Sequence, residues 1–232
     1  MTEREKWILW EDEDRSPYMN MAIDELLLEK KLPMPLLRIY GWDRPSISIG
    51  YVQDYFAAPQ KGCTIVRRPT GGGIVFHEKD LTYTVVVPSS HEINKLDRLE
   101  SYHVFHRGAL RALSKFGLEG ALSQSKMAPV DRASMRCFSS PTRYDVVCGE
   151  KKYAGAAQRR GKNGILHQGS ISLEASGGDR SALARELMAG IKNEFMVDFE
   201  KFVPEKEFIE KATILANEKY ATEKWNIEKI WR

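Results

Sequence analysis

No stretch of this sequence approaches the roughly 18 consecutive apolar residues that cross a bilayer, and the opening MTEREKWILWEDED is charged where a secretory leader needs an apolar core. The chain is therefore expected to be cytoplasmic, with no membrane partner. Cysteine is scarce. Cys63, Cys137 and Cys148 are an odd number in a chain large enough to bury its own core, which fits free thiols in a reducing compartment rather than a disulfide framework. No CxxC or HExxH spacing occurs, so no metal held by the protein alone is expected. An excess of one charge is lacking as well. The 35 basic and 32 acidic residues leave +3, too slight a surplus to point to nucleic acid. The G-x-S-x-G nucleophile elbow and the GxxxxGK[ST] phosphate loop are both missing, so neither a hydrolase triad nor a Walker site has support.

What is present is a globular composition. With 42% hydrophobic residues in 232 positions, the chain is expected to form a single domain, 1–232. Ser16-Pro17 reads as a helix start, followed to about Lys30 by Met19, Ile23, Leu26 and Leu27 at helical spacing. Short β-branched and aromatic runs follow at Leu36–Tyr40, Ser46–Tyr51, Thr64–Arg68, Gly73–Phe76 and Thr82–Val87. Leu96 to Phe116 gives a second amphipathic helix closed by Gly117. Strand signal returns from Tyr144 in two hairpin-like runs, and further helices are expected around Leu183–Ile191 and Phe208–Tyr220. The expected class is α+β, with mostly antiparallel sheets flanked by helices.

Three segments carry reactive chemistry. In Arg67-Arg68-Pro69-Thr70-Gly71-Gly72-Gly73, the glycines let backbone approach a ligand closely, and the arginines offer planar donors to phosphate or carboxylate; a plain hairpin turn is the alternative. In Lys151-Lys152-Tyr153-Ala154-Gly155-Ala156-Ala157, a lysine could offset negative charge on an acyl oxygen, although a lysine pair in a turn is ordinarily solvated. Cys137 lies in a polar run between Arg136 and Arg143, where nearby cations favour a thiolate able to hold an acyl group as a thioester. His77 and His167 are candidates to line the same cleft.

Read together in order, NMAIDELLL at 20–28, LRIYGWDRPSISIGYVQ at 37–53, RRPTGGGIVFHEKDLTYTVVV at 67–87, CFSSPTRYDVV at 137–147 and GEKKYAGAAQRRGKNGILHQGSISLE at 149–174 resemble the lipoate-protein ligase A and octanoyltransferase family. The likeness covers about residues 5–190 and implies a catalytic domain related to that of biotin protein ligases. It leaves 192–232 as a helical tail with no full accessory domain. It further implies that Arg67, Arg68, Gly71, Gly72, Gly73, His77, Gly155, Ala157 and His167 bind the acyl or adenylate group, and that Lys152 is catalytic. The histidine-aspartate pair common after the glycine loop reads His77-Glu78 here.

The family holds two chemistries. The unbroken Gly71-Gly72-Gly73 resembles the ligases, which use ATP and Mg²⁺ to form an acyl-AMP from lipoate or octanoate; this is the first expectation. Cys137-Phe138 resembles the transferases, which take octanoate from octanoyl acyl carrier protein through a cysteine thioester and need no cofactor. Either way the implied acceptors are apo lipoyl domains of 2-oxoacid dehydrogenases or the glycine-cleavage H protein; for a ligase, either the tail 192–232 is a vestige of an accessory domain or a separate accessory subunit supports activation, whereas a transferase needs neither. A biotin ligase-like enzyme and a catalytically silent acyl-binding module are the remoter alternatives.

Overall fold

A computed structural model describes residues 4–60, 62–125 and 141–231. The chain runs β1 (Glu5–Arg15), α1 (Pro17–Glu29), β2 (Leu36–Trp42), β3 (Ser46–Ile49), β4 (Thr64–Arg67), β5 (Val75–His77) and β6 (Asp80–Pro88). It continues with α2 (Arg98–Ser114), β7 (Ala121–Leu122), β8 (Val146–Cys148), β9 (Lys151–Gly161), β10 (Gly164–Ser172), α3 (Arg180–Phe195), β11 (Val197–Lys201), α4 (Lys206–Leu215) and α5 (Glu223–Asn226). One sheet is ordered β11-β1-β2-β6-β10-β9-β8-β7, and a smaller one β4-β3-β5. Most pairings are antiparallel as expected, but β11, β1 and β2 are parallel to one another, as are β3 and β4.

The predicted helices sit where local chemistry puts them. Ser16 caps α1 by accepting from the Met19 N–H with Pro17 in the first turn. Asp97 and Glu100 close a reciprocal capping box on α2. Gly117, at φ 76°, ends the turn after α2 as its position predicts. Strand β1 was not anticipated. Its only fully inward side chains, Trp7 and Trp10, are three apart, and the register slips between Glu11 and Asp14, so the run EKWILWEDEDR does not alternate like a strand.

Helices α2 and α3 cover one face of the large sheet, burying Phe105, Leu113, Leu187 and Ile191 against Leu81, Val85 and Ile165. They cross closely because Gly108 faces Gly190, where an added Cβ would stand 2.3 Å from the Gly108 carbonyl oxygen. Helices α1 and α4 cover the other face, through Ile23, Leu27 and Phe208 against Trp10, Val86 and Leu166.

Beneath α1 lies a buried polar network centred on Arg38, which is fully inaccessible. Its guanidinium bonds Asp12 at 2.8 Å and Asp24 at 2.7 Å, together with the Asn20 side chain at 2.8 Å. Burial disfavours the cation, yet Asp24 and Asp12 more than offset this and hold its pKa above the ordinary arginine value. Asp24 also accepts from Thr84 and Gln168, each at 2.7 Å. Arg38→Met should lower unfolding free energy by about 3–5 kcal/mol, because the buried Asp24 loses its cation, while Asp12 keeps Arg15. Urea unfolding monitored by tryptophan fluorescence would measure it; a loss under about 1 kcal/mol would mean the network contributes little.

Candidate active site

The two sheets meet over α1 around a small cavity of about 40 Å³ that opens to solvent. Its walls come from β2, β3, the glycine loop, β5, β9 and β10, and among them are Arg68, Gly72, Gly73, His77, Gly155 and Ala157. Six of the residues singled out in the sequence therefore share one pocket, although they come from two separate segments, 67–87 and 149–174. The close backbone approach has a visible cause: an added Cβ at Gly50 would lie 2.1 Å from the Gly72 carbonyl oxygen, and Gly72 itself has φ 84°.

The two arginines part company. Arg68 turns back onto the loop: Nη1 donates to the Ser48 carbonyl and hydroxyl, and Nε and Nη2 donate to the carbonyls of Gly71 and Gly73. All five of its N–H groups have protein acceptors. Arg67 is fully buried and lies outside the pocket lining. It donates to the carbonyls of Gly50, Tyr51 and Gln53 and to that of Asn226. The expected ligand-facing role for Arg67 is thus replaced by a clasp between the loop after β3 and the C-terminal tail. Trp225 Nε1 completes the clasp on the Arg67 carbonyl at 2.9 Å.

His77 is held on both ring nitrogens, by Asp80 at 2.8 Å and by the Ser48 hydroxyl at 2.8 Å. Trp42 stacks on it with centroids 3.8 Å apart. Burial would raise the Asp80 pKa, but His77, Ser170 and Thr82 reverse this and keep it below the usual carboxylate value. Asp80, three residues after His77, takes the place expected of an acid directly after the histidine, while Glu78 is exposed. The Ser48, His77 and Asp80 chain looks like a hydrolase triad, but Ser48 is mid-strand, buried and bonded to Arg68. It seats the arginine.

Lys151 and Lys152 point apart. Lys151 is exposed and paired with Glu174; Lys152 is 5% exposed, with Nζ 2.8 Å from Asp145 Oδ2. The register shift between Val146 and Val147 on β8 opposes this part of β9. An added Cβ at Gly155 would stand 2.4 Å from Lys152 Cε and 2.5 Å from Nζ, so the glycine makes the room in which the lysine lies. Asp145 was missed by the sequence reading. Its signal is local only in hindsight, since Thr142 donates to the same carboxylate oxygen through N–H at 2.6 Å and hydroxyl at 2.9 Å.

His167 departs from expectation. It faces α2, packed on Phe105 at 4.5 Å, and accepts at Nδ1 from Gln158 at 3.0 Å, on the side of the sheet away from the cavity. Alternation explains this: Gln168 and Ser170 face the cavity, so His167 must face the helices. Burial first, and the nearby His106 second, push its pKa well below the ordinary value. His106 is lowered too, chiefly by burial. Unfolding therefore takes up protons that the native state refuses, so stability is flat above the unfolded pKa of about 6.5 and falls below it by up to about 1.4 kcal/mol per pH unit per histidine. Urea midpoints between pH 7.5 and 5 should decline with this sign, and His167→Gln should flatten the decline; an unchanged slope would refute a neutral buried His167.

Cys137 lies outside the described residues. Among the described residues no cluster of metal-ligating side chains occurs, and no helix is long and apolar enough to cross a membrane.

With this geometry in place, comparison with known proteins is direct. The family described as the lipoyl protein ligase A/B catalytic domain matches residues 16–205. Octanoyltransferase LipM of Geobacillus kaustophilus is 38% identical over 200 residues, covering 80% of this chain and 72% of the relative. The protein of the same name from Anoxybacillus flavithermus is 39% identical, covering 74% and 66%, so this chain spans about two thirds to three quarters of such relatives. Among solved structures, a putative lipoate protein ligase from T. acidophilum with bound lipoic acid superposes with a TM-score of 0.78 at 23% identity, covering 96% and 99%. A lipoate-protein ligase A bound with ATP gives 0.73 at 24%, covering 96% and 98%. These two share the fold.

Proposed function

The chain belongs to the lipoyl protein ligase A/B catalytic-domain family, and from that premise we propose that it transfers an octanoyl group from acyl carrier protein to one lysine of a lipoyl domain or H protein. The observation that carries the choice of chemistry is the 38% identity to an octanoyltransferase over most of the chain, against 21–24% to the ligases. This ranks the cysteine transferase above the ATP-dependent ligase that the glycine run first suggested. The disposition of Arg68 supports the same order, because a guanidinium whose donors are taken by Ser48 and by the carbonyls of Gly71 and Gly73 does not present them to a nucleotide phosphate.

In this reading Cys137 gives up its thiol proton and attacks the octanoyl thioester; the new C–S bond forms, the carrier's C–S bond breaks, and the carrier leaves as a thiol bearing that proton. The acceptor amine then attacks the Cys137 thioester; the new amide forms, the C–S bond breaks, and the amine's proton leaves with the thiolate's restoration to thiol. The pocket holds the acyl chain. Lys152, paired with Asp145, is the group that offsets the negative charge growing on the carbonyl oxygen in both steps. The Thr142 bonds to Asp145 tie the end of the Cys137-bearing segment to the lysine's partner.

The test is intact mass of an apo lipoyl domain incubated with the protein and either octanoyl acyl carrier protein or octanoate with ATP and Mg²⁺. Acylation from the carrier without ATP is expected. Acylation only from the free acid with ATP would replace this reading by the ligase, and none in either arm would leave a non-transferring relative or one requiring a second subunit.

Gly155→Ala supplies a further check. The strand backbone tolerates alanine, but the methyl group displaces Lys152, so turnover should fall about a hundredfold, as for an approximately 1 Å misplacement of a catalytic group, while far-ultraviolet circular dichroism stays that of the parent. Parental turnover would show that the position of Lys152 is not critical.

A further inference from the structure

The buried pair of Lys152 and Asp145 depends on a backbone turn that ordinary residues avoid. Tyr144 has φ 71°, in the left-handed region that is costly for a bulky side chain. Because of that turn, its ring lies outward against His103, with centroids 4.8 Å apart, while the next side chain, Asp145, is 1% exposed and meets Lys152. Two backbone bonds to Ser123 flank the turn, Tyr144 N–H to its carbonyl and its N–H to the Asp145 carbonyl, each 2.8 Å. The Tyr144 carbonyl remains, and it points into the α2 side of the core.

There it accepts from His106 Nδ1 at 2.5 Å. His106 is 1% exposed on α2, and this bond assigns its proton to Nδ1, leaving Nε2 as a bare acceptor. That Nε2 is buried with no hydrogen-bond partner among the described residues. A buried polar atom left unsatisfied is unfavourable, and leucine would fill an apolar site without that penalty. Among the described residues, the ring's one hydrogen bond is the one to the Tyr144 carbonyl.

We infer that His106 is a positioning residue, which holds the left-handed Tyr144 turn from behind and so aims Asp145 at Lys152. The inference rests on the reading of Lys152 given above. It assigns to α2, which contributes nothing to the cavity wall, a direct line to the reacting group: His106 to Tyr144, Asp145 and Lys152.

The experiment compares the full chain carrying His106→Leu or His106→Asn, with octanoyl acyl carrier protein as donor and an apo lipoyl domain as acceptor. Asparagine places an N–H near the position of Nδ1; leucine fills space without a donor. His106→Leu should lower kcat at least about tenfold with little change in KM for the carrier, and His106→Asn should recover most of it; a fall of this order is what a modest displacement of a catalytic group produces. Tyr144→Gly, which adopts the left-handed turn without help, should make His106→Leu nearly harmless, and this second background decides the matter if the single leucine variant folds poorly. Equal loss in the leucine and asparagine variants, parental turnover in His106→Leu, or an undiminished leucine effect beside Tyr144→Gly would overturn the inference. Lys152→Ala is run in parallel: retained turnover there would instead remove the reading of the site on which the inference stands.

Discussion

Lys152→Ala is expected to lower octanoyl transfer by about a hundredfold to a thousandfold, the range for removing one preorganised donor to an acyl oxyanion. The loss should fall on kcat, because Lys152 is not among the residues that line the cavity proposed to take the alkyl chain. Burial gives the same substitution a second consequence. A lysine on a solvated turn could be truncated with little effect on melting, but Lys152 is the buried partner of Asp145. Its removal strands a carboxylate, which costs about 3–5 kcal/mol when one member of a buried pair is deleted. Asp145→Asn added to Lys152→Ala should return much of that stability and none of the activity. Rates from intact mass and midpoints from urea unfolding separate the two effects; activity in the double variant would remove Lys152 from the chemistry.

The sequence made the local elements legible and left their long-range partners hidden. Helices α1 and α2 announce themselves through caps and periodic apolar residues, and β3 to β6 through short β-branched runs between turn residues. The parallel pairing of β1 with β2 and β11 has no local signature, and a bulge in a charged strand erased the alternation that would have marked β1. The same division holds in the site. Glycine-rich segments reveal where backbone comes close, so Gly72, Gly73 and Gly155 could be placed in one pocket. Which arginine lines the cavity could not be read, because Arg67 is turned by residue Asn226, far along the chain. His167 was misplaced for a simpler reason. A one-residue offset on a strand moves a side chain to the opposite face, and only the pairing of β10 with β6 and β9 fixes that choice. Asp145, Asp80 and Arg38 went unread because acidic and basic residues are ordinarily solvated, and only a fold that closes over them makes them structural.

Cys137→Ser should stop transfer from octanoyl acyl carrier protein, by at least about a thousandfold, because a serine hydroxyl is far less ionised than a thiol near pH 7 and is the weaker nucleophile. The comparison that gives this force is with the other two cysteines. Cys63 and Cys148 are both half-buried outside the cavity lining, Cys63 beside Glu78 and Cys148 in register with the outward-facing Lys151. Serine at either should leave turnover within about twofold of the parent, as expected for substitutions away from the reacting groups. A parental enzyme quenched during turnover should carry an octanoyl adduct that hydroxylamine removes, mapped to Cys137 by peptide mass and lost in Cys137→Ser alone. If Cys137→Ser transfers from the carrier at the parental rate, no thioester at that residue lies on the path. The amine would then attack the carrier thioester directly, with Lys152 still required and the order of the two steps collapsed into one. Lys152→Ala is silent in both schemes, so it is the pair of variants, and not either alone, that tells a covalent relay from a direct transfer.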